Sequence, residues 1–575
     1  MNNLEKQILD SVSLDEPWGL VESFATFKRE HPTDVNRGMD EIVSRLRRHG
    51  VEVTVHEPSL YLSLPGQARV EADGKTFRAK PPAYSVDASK GVTGELVYVG
   101  AYHNAMITDM FEQKVDTTQE LADRVRGKIV ISEGFASPGL VSQFEGIGAI
   151  GVIGINPGVD IHWGICTSIW GTPDLDDLPR KPKIAAAAVN KDDGAALVAI
   201  AEKGGSVTLF TEMEEGWFTS KLPEVFIKGT EEPEKYVFLH GHLDSWDVGV
   251  GDNATGDASM LEIARVLWEN RGSLKRSVRI CWWPGHSTGR YAGSTWFSDN
   301  FALDLEQNAV SQVNCDSPGC RWATEFINLC RMSETEDFLA EVIGEVAGKT
   351  MEGERPHRAG DYSFNNIGIS SYLMLSSTMP DVLREEKGYY TVGGCGGNIA
   401  WHTENDTLEI ADKDILLRDI KVYLLAVLRN ANAEILPFDW RATAKEFAQT
   451  VAEYQAKAGD RFDLSASKEA VDALASTLDS FYAGIKSGKT DRATANTVIQ
   501  DLARILVPIN FTRVNRFSHD PALTIPPLPS IAAAADLDDF DENTLGFAKT
   551  QLVRGQNRLI SALRQAQRHV ELLAG

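Results

Sequence analysis

Between residues 225 and 440 the chain alternates short apolar runs with helical patterning. That alternation restricts the fold more than any other feature. Tyr236-Val-Phe-Leu239 reads as a buried strand. Met260, Ile263, Ala264, Leu267 and Trp268 then recur at the three- and four-residue spacing of one helix face. Residues 277–283 read as a second strand. Strands separated by helices predict a parallel or mixed sheet with helices on both faces, an α/β fold.

The flanking segments differ in texture. In residues 1–98, Leu4, Ile8 and Val12 share one helix face, and Met39, Ile42, Val43 and Leu46 share another. Residues 51–56 alternate as a half-buried strand does. In residues 99–224, glycines crowd the run Gly146-Ile-Gly-Ala-Ile-Gly-Val-Ile-Gly154. It is out of register with a dinucleotide fingerprint and predicts a buried strand beside a closely packed helix. The apolar run 184–189 leads into Asn190, a helix start, so 99–224 reads as a small α/β insert. Residues 441–575 lose the strand signal. Val471, Leu474, Leu478, Phe481 and Ile485 form one apolar seam, and Leu559, Leu563, Ala566, Val570 and Leu573 form another. These predict a helical bundle, interrupted by four prolines in 521–529.

Charge narrows the partners. The chain has 57 Lys+Arg against 82 Asp+Glu, a net −25, which repels nucleic acid phosphates and anionic membranes. Six cysteines in 575 residues, with no Cys-x-x-Cys pair, are too few for a disulfide scaffold and suit a reducing, cytoplasmic setting. The N-terminal residues carry Glu5 and Asp10 without an apolar core, which does not read as a signal peptide. No run approaches the ~20 apolar residues of a membrane span.

The chemistry gathers after the first strand. His240-Gly-His-Leu-Asp-Ser-Trp246 is followed by Gly251-Asp-Asn-Ala-Thr-Gly256. Imidazole and carboxylate at a strand end and in the next loop suit zinc and its borderline relatives. His402 lies in Trp401-His-Thr-Glu-Asn-Asp-Thr407, after the glycine-rich loop 393–397. These pieces, in this order, resemble the zinc aminopeptidase and glutamate carboxypeptidase family. There, His-x-Asp is followed, ten residues after the His, by an Asp that bridges two zincs; His242 and Asp252 have that interval. Asn314-Cys-Asp316, Arg358-Ala-Gly-Asp-Tyr362 and Gly368-Ile-Ser370 resemble the family's later motifs.

The resemblance implies a zinc-peptidase-like mixed sheet flanked by helices, with 1–98 and 225–440 forming the peptidase-like domain. It implies a protease-associated α/β insert at 99–224 and a helical dimerisation domain at 441–575, hence a homodimer. It implies His242, Asp252 and Asp316 on one divalent metal, with Asp252 bridging to a second ion held by His402. Asp244 would hold His242. Arg358 and Tyr362 would bind a substrate carboxylate or an oxyanion. A small-molecule or peptide substrate is implied. Zinc is the default metal, and manganese or iron would tolerate a carboxylate-rich one-metal site.

One motif departs from the family. It places Glu-Glu in the turn after the second strand, as general base and metal ligand. This chain reads Trp283-Pro-Gly-His-Ser-Thr-Gly289, which puts His286 and Ser287 at those positions. Histidine titrates near pH ~6.5 when unperturbed and can serve as a base, or His286 can bind metal instead. With both carboxylates gone, three further readings stay open. They are metal-dependent chemistry other than peptide hydrolysis, such as a lyase reaction, a non-catalytic relative like transferrin receptor, and serine hydrolysis through Ser287, since Gly285-His-Ser-Thr-Gly289 also fits a nucleophile elbow. In the insert, His162, Trp163 and Trp170 are candidates to line a substrate pocket, and His103 and His357 lie in loops. His240 reads as a packed strand-end histidine.

Overall fold

The computed structural model describes residues 1–100 and 118–575, which places His103 outside the described residues. A mixed six-stranded sheet forms the centre. Its order is Thr54–His56, Leu222–Ile227, Arg276–Trp283, Glu232–His242, Ala309–Asn314, Ser371–Tyr372. The last four are mutually parallel, and the first two are antiparallel to their neighbours. Arg276–Trp283 is buried along its whole length, as a central strand covered on both faces must be.

Helix Thr255–Glu269 lies on one face. Twelve of its fifteen residues are buried, including Met260, Ile263, Ala264 and Leu267. It is sandwiched because the N-terminal helices Asp15–Phe24 and Pro32–Arg48 and helix Lys413–Asn432 join the same core. On the other face Phe238, Trp283, Phe297 and Phe364 form a separate aromatic cluster. The mixed α/β expectation holds.

The second sheet has seven strands, in the order Lys75–Ala79, Ser59–Ala72, Ser206–Thr219, Val92–Tyr98, Ile129–Glu133, Gly151–Ile155, Ala185–Val189. Its apolar strands Ile129–Glu133, Gly151–Ile155 and Ala185–Val189 are parallel and almost wholly buried. Asn190 caps the helix Lys191–Ala201 by accepting the N–H of Asp193, as its position before the apolar run requires. Ser59–Ala72 and Ser206–Thr219 pair along most of their length, so this sheet draws strands from before residue 99. A boundary at 98/99 would cut through it. The first strand of the central sheet is also shorter than expected. It covers only Thr54–His56, because pairing with Leu222–Ile227 ends there.

The C-terminal region is helical: Trp440–Ala458, Ser465–Ser487, Arg492–Phe511 and Glu542–Ala574. Val471, Leu474, Leu478 and Phe481 face Leu559, Leu563, Ala566 and Val570 in one core, whereas Leu573 is exposed at the chain's end. Among the described residues no helix is long and apolar enough to cross a membrane.

Candidate metal centre

The four parallel strands all end at one edge, where open α/β sheets place their ligand sites. His242 is the last residue of its strand, Asp316 follows Ala309–Asn314, and His286 stands in the turn after Trp283. Asp252 enters from the loop before helix Thr255–Glu269, across a cis Asp252–Asn253 peptide. Asn253 joins these pieces. Its amide donates to the carbonyls of His242 and Cys315 and accepts the N–H of Ser317. The glycine in Asp-Asn-Ala-Thr-Gly is required by that packing, since a Cβ at Gly256 would lie 2.1 Å from Asn253 Oδ1. Asp406 secures the other side by accepting the N–H groups of Gly251 and Asp252.

His242 Nε2 lies 3.0 Å from Asp252 Oδ1 and 3.7 Å from Asp316 Oδ2, and His402 Nε2 lies 3.1 Å from Asp252 Oδ2. Yet His242 Nε2 and Asp252 Oδ1 are buried and have no hydrogen-bond partner among the described residues. The Nδ1 atoms explain this. His242 Nδ1 sits 2.8 Å from the carbonyl of Asp244, and His402 Nδ1 3.0 Å from that of Trp163. A carbonyl only accepts, so each ring is protonated at Nδ1 and a neutral ring turns an Nε2 lone pair toward a carboxylate. Lone pair against carboxylate is repulsive unless a cation or a proton lies between. Electrostatics agree. Burial opposes charging His242, but Asp252 and Asp316 outweigh it and raise its pKa well above the imidazole range. Burial likewise opposes ionising Asp252, but His242 and His402 hold its pKa well below the carboxylate range. His242 beside both Asp252 and Asp316, with His402 on the other oxygen of Asp252, is a donor set that fits zinc, manganese or iron.

His286 stacks on His242, with ring centroids 3.8 Å apart. Ligand atoms of His242, His286 and Asp316 lie within 4.8 Å of one another. His286 Nδ1 meets Asp361 Oδ2 at 2.8 Å, and Asp361 Oδ1 accepts the hydroxyl of Ser294 at 2.7 Å. Asp361 is fully buried, and its pKa stays low because the His286 charge outweighs the cost of burial. This carboxylate fixes the ring of His286 and leaves Nε2 toward the centre. Asp361 stands inside the Arg358–Tyr362 motif, but nothing in the sequence pairs it with His286.

Several expected residues take other places. The carboxylate of Asp244 does not touch His242, whose Nδ1 uses the main-chain carbonyl instead. The side chain accepts the N–H groups of His286 and Ser287, at 2.9 Å each, and so fixes that turn. Ser287 is buried behind the turn, and His286 alone of the two lines the cavity. Arg358 donates to the carbonyls of Asp520 and Pro521 and covers the ring of Trp170, so its guanidinium points away from the centre. Tyr362 is buried beside Cys330 and Met374. His162 is held by the Trp401 carbonyl and the Tyr390 hydroxyl, and burial pushes its pKa down to about 3. Trp170 is bonded to Ser363. His240 packs among Phe238, Trp283 and Phe364.

A cavity of about 90 Å³ opens over the centre. At ~10–15 Å³ per water it holds roughly six to nine waters, or a small molecule. Asp252, Asp316, His286 and His402 form its floor. Phe135, Pro138, Trp163 and Ile165, from the seven-stranded unit, form its roof. Trp163 and His402 exchange main-chain and ring hydrogen bonds, so the roof also positions a candidate ligand. Arg290, 3% exposed and carried at positive φ in the same turn as His286, brings a guanidinium to the wall. Sequence reading missed both Arg290 and Asp361.

Residues 225–427 match Peptidase family M28. The chain is 25% identical over 482 residues to "Probable glutamate carboxypeptidase VP8" of Zea mays, covering 71% of this chain and 65% of that protein, just under two thirds of its length. A shorter match, 32% over 155 residues, covers 26% of this chain and 19% of "Transferrin receptor protein 1" of Gallus gallus. BSAP, described as a zinc aminopeptidase from Bacillus subtilis, superposes with a TM-score of 0.54 at 18% identity, over 74% of this chain and 96% of that one. The fold is therefore that of the M28 aminopeptidases. The chain is zinc aminopeptidase/glutamate carboxypeptidase-like, as its motifs imply.

Proposed function

We propose that the protein is a metal-dependent hydrolase that cleaves an amide or related C–N bond of a small substrate. The observation that carries this reading is the convergence of His242 and His402 Nε2 on Asp252, each ring fixed at Nδ1 by a carbonyl. His242, Asp252, Asp316 and His402 would hold one or two divalent ions, zinc first and manganese or iron next. Such an ion supplies Lewis acidity and a reactive water near neutral pH.

The chain's own groups do the rest. His286 Nε2 accepts and returns the proton in place of the missing glutamate, while Asp361 keeps the ring oriented and stabilises its charged form. Arg290 receives an anionic or carbonyl group of the substrate. The apolar roof of Phe135, Pro138 and Ile165 excludes water, which strengthens each charge interaction beneath it. The small cavity favours a small substrate. The seven-stranded unit would serve as a protease-associated domain, the C-terminal helices as a homodimer interface, and the cytoplasm as the setting, given six free buried thiols.

A second reading has one observation in its favour. Without carboxylates at 286 and 287, the site would be non-hydrolytic, either a lyase or a binding protein related to transferrin receptor. Serine hydrolysis has less support, since Ser287 makes no hydrogen bond to a histidine among the described residues. The test is turnover of a panel of small N-acyl and peptide amides, with chelator and with metal restored. Chelator-sensitive cleavage supports the hydrolase. A fully loaded protein that cleaves none of them supports the second reading.

A further inference from the structure

Strands Phe326–Cys330 and Met351–Glu354 form a separate parallel pair, in which Cys330 and Glu354 are register partners at the strand ends. Partners in a ladder stand side by side on one face. Pro356 then ends the extended run, and His357 turns back onto Glu354, with Nε2 3.3 Å from Oε1. The thiol of Cys330 completes the group, and all three ligand atoms lie within 4.8 Å of one another.

We propose that Cys330, Glu354 and His357 form a second metal site, a thiolate–carboxylate–imidazole set for a zinc-class cation with one position open to the cavity. The set shares no residue with the His242–Asp252–Asp316–His402 centre. Zn–S bonds of ~2.3 Å and Zn–N or Zn–O bonds of ~2.0–2.2 Å put tetrahedral ligand atoms roughly 3.3–3.8 Å apart. The three donors therefore need to close by only about an ångström. Three protein ligands leave a fourth position for water or substrate, the arrangement of catalytic zinc sites; structural sites use four.

The surroundings fit this role. Cys330 is fully buried, while the side chains of His357 and Glu354 are 20% and 41% exposed, which gives an ion a way in. His357 lines the cavity above Asp252, Asp316 and His402, and also a groove of about 920 Å³ that runs past Arg355, Lys457 and Arg513. An ion there would sit where the groove meets the cavity. The buried hydroxyl of Tyr362, in the same cluster as Cys330 and without a hydrogen-bond partner among the described residues, would be a donor to a bound water or substrate oxygen.

Cobalt(II) titration of the full chain tests this independently of activity. A thiolate gives a near-ultraviolet charge-transfer band on cobalt, which a site of imidazoles and carboxylates cannot give. The band is expected in the wild type and in His242→Ala. It is expected to vanish in Cys330→Ser, with the loss of one cobalt per subunit, and to weaken at least tenfold in affinity in His357→Ala. His357 is partly exposed, so that variant tests the site even if Cys330→Ser does not fold. No thiolate band at saturating cobalt, or a band undiminished in either variant, overturns the site.

Discussion

His286 Nδ1 and Asp361 Oδ2 meet at 2.8 Å, with the carboxylate fully buried and its second oxygen bonded to Ser294. The pair gives the turn after Arg276–Trp283 an oriented imidazole. Asp361→Asn keeps the shape and removes the charge. It should lower kcat by ~10–100-fold with little change in KM, as outer partners of functional histidines generally do. Equal kcat in the variant would mean that His286 works without Asp361.

Removing the ring has a larger effect. His286→Ala should retain metal and lose ~10²–10⁴ in kcat/KM, the range of a general base. A variant that loses metal in proportion to activity would instead make His286 a ligand, which its 4.8 Å grouping with His242 and Asp316 also allows.

The two arginines separate cleanly. Arg290→Ala should raise KM for a substrate with an anionic group. Arg358→Ala strands the Asp520 and Pro521 carbonyls. It should cost about 1–3 kcal/mol of stability, read as a lower denaturant midpoint, with KM unaffected. The reverse pattern would restore Arg358 as the substrate residue.

Glu334 gives a pH signature. It is buried between Ser370 and Thr443, so it joins the central sheet to helix Trp440–Ala458. Burial raises its pKa from 4.5 to about 7, against the pull of both hydroxyls. The folded state therefore holds this proton more tightly than the unfolded state. The contribution of Glu334 to stability is full below pH ~4.5, falls as the pH rises to about 7, and then levels off. Glu334→Gln should flatten the slope of Tm against pH across that window. An identical slope in wild type and variant would contradict the assignment.

How much of this was legible in the sequence depends on which signal each residue carries. His242, Asp252, Asp316 and His402 stand at strand ends and in the next loops, where spacing and order carry the information. The helix face from Met260 to Leu267 and the seam from Val471 to Phe481 follow from periodicity. Asp361 and Arg290 were not legible, because their roles depend on contacts across 75 residues and on one turn's positive φ. Arg358 shows the opposite failure. Its motif places the backbone near the centre, but the side chain finds the Asp520 and Pro521 carbonyls on the other side. The early start of the seven-stranded sheet was hidden for a related reason, since pairing between Ser59–Ala72 and Ser206–Thr219 is set by partners far apart in sequence.

Whether His242, Asp252, Asp316 and His402 hold a metal is decided by elemental analysis of metal per subunit in the wild type and in Asp252→Asn, both offered zinc, manganese and iron. The wild type is expected to bind metal, and the variant to lose at least one equivalent. A wild type that binds none, or a variant that matches it, would mean that these four residues do not hold a metal.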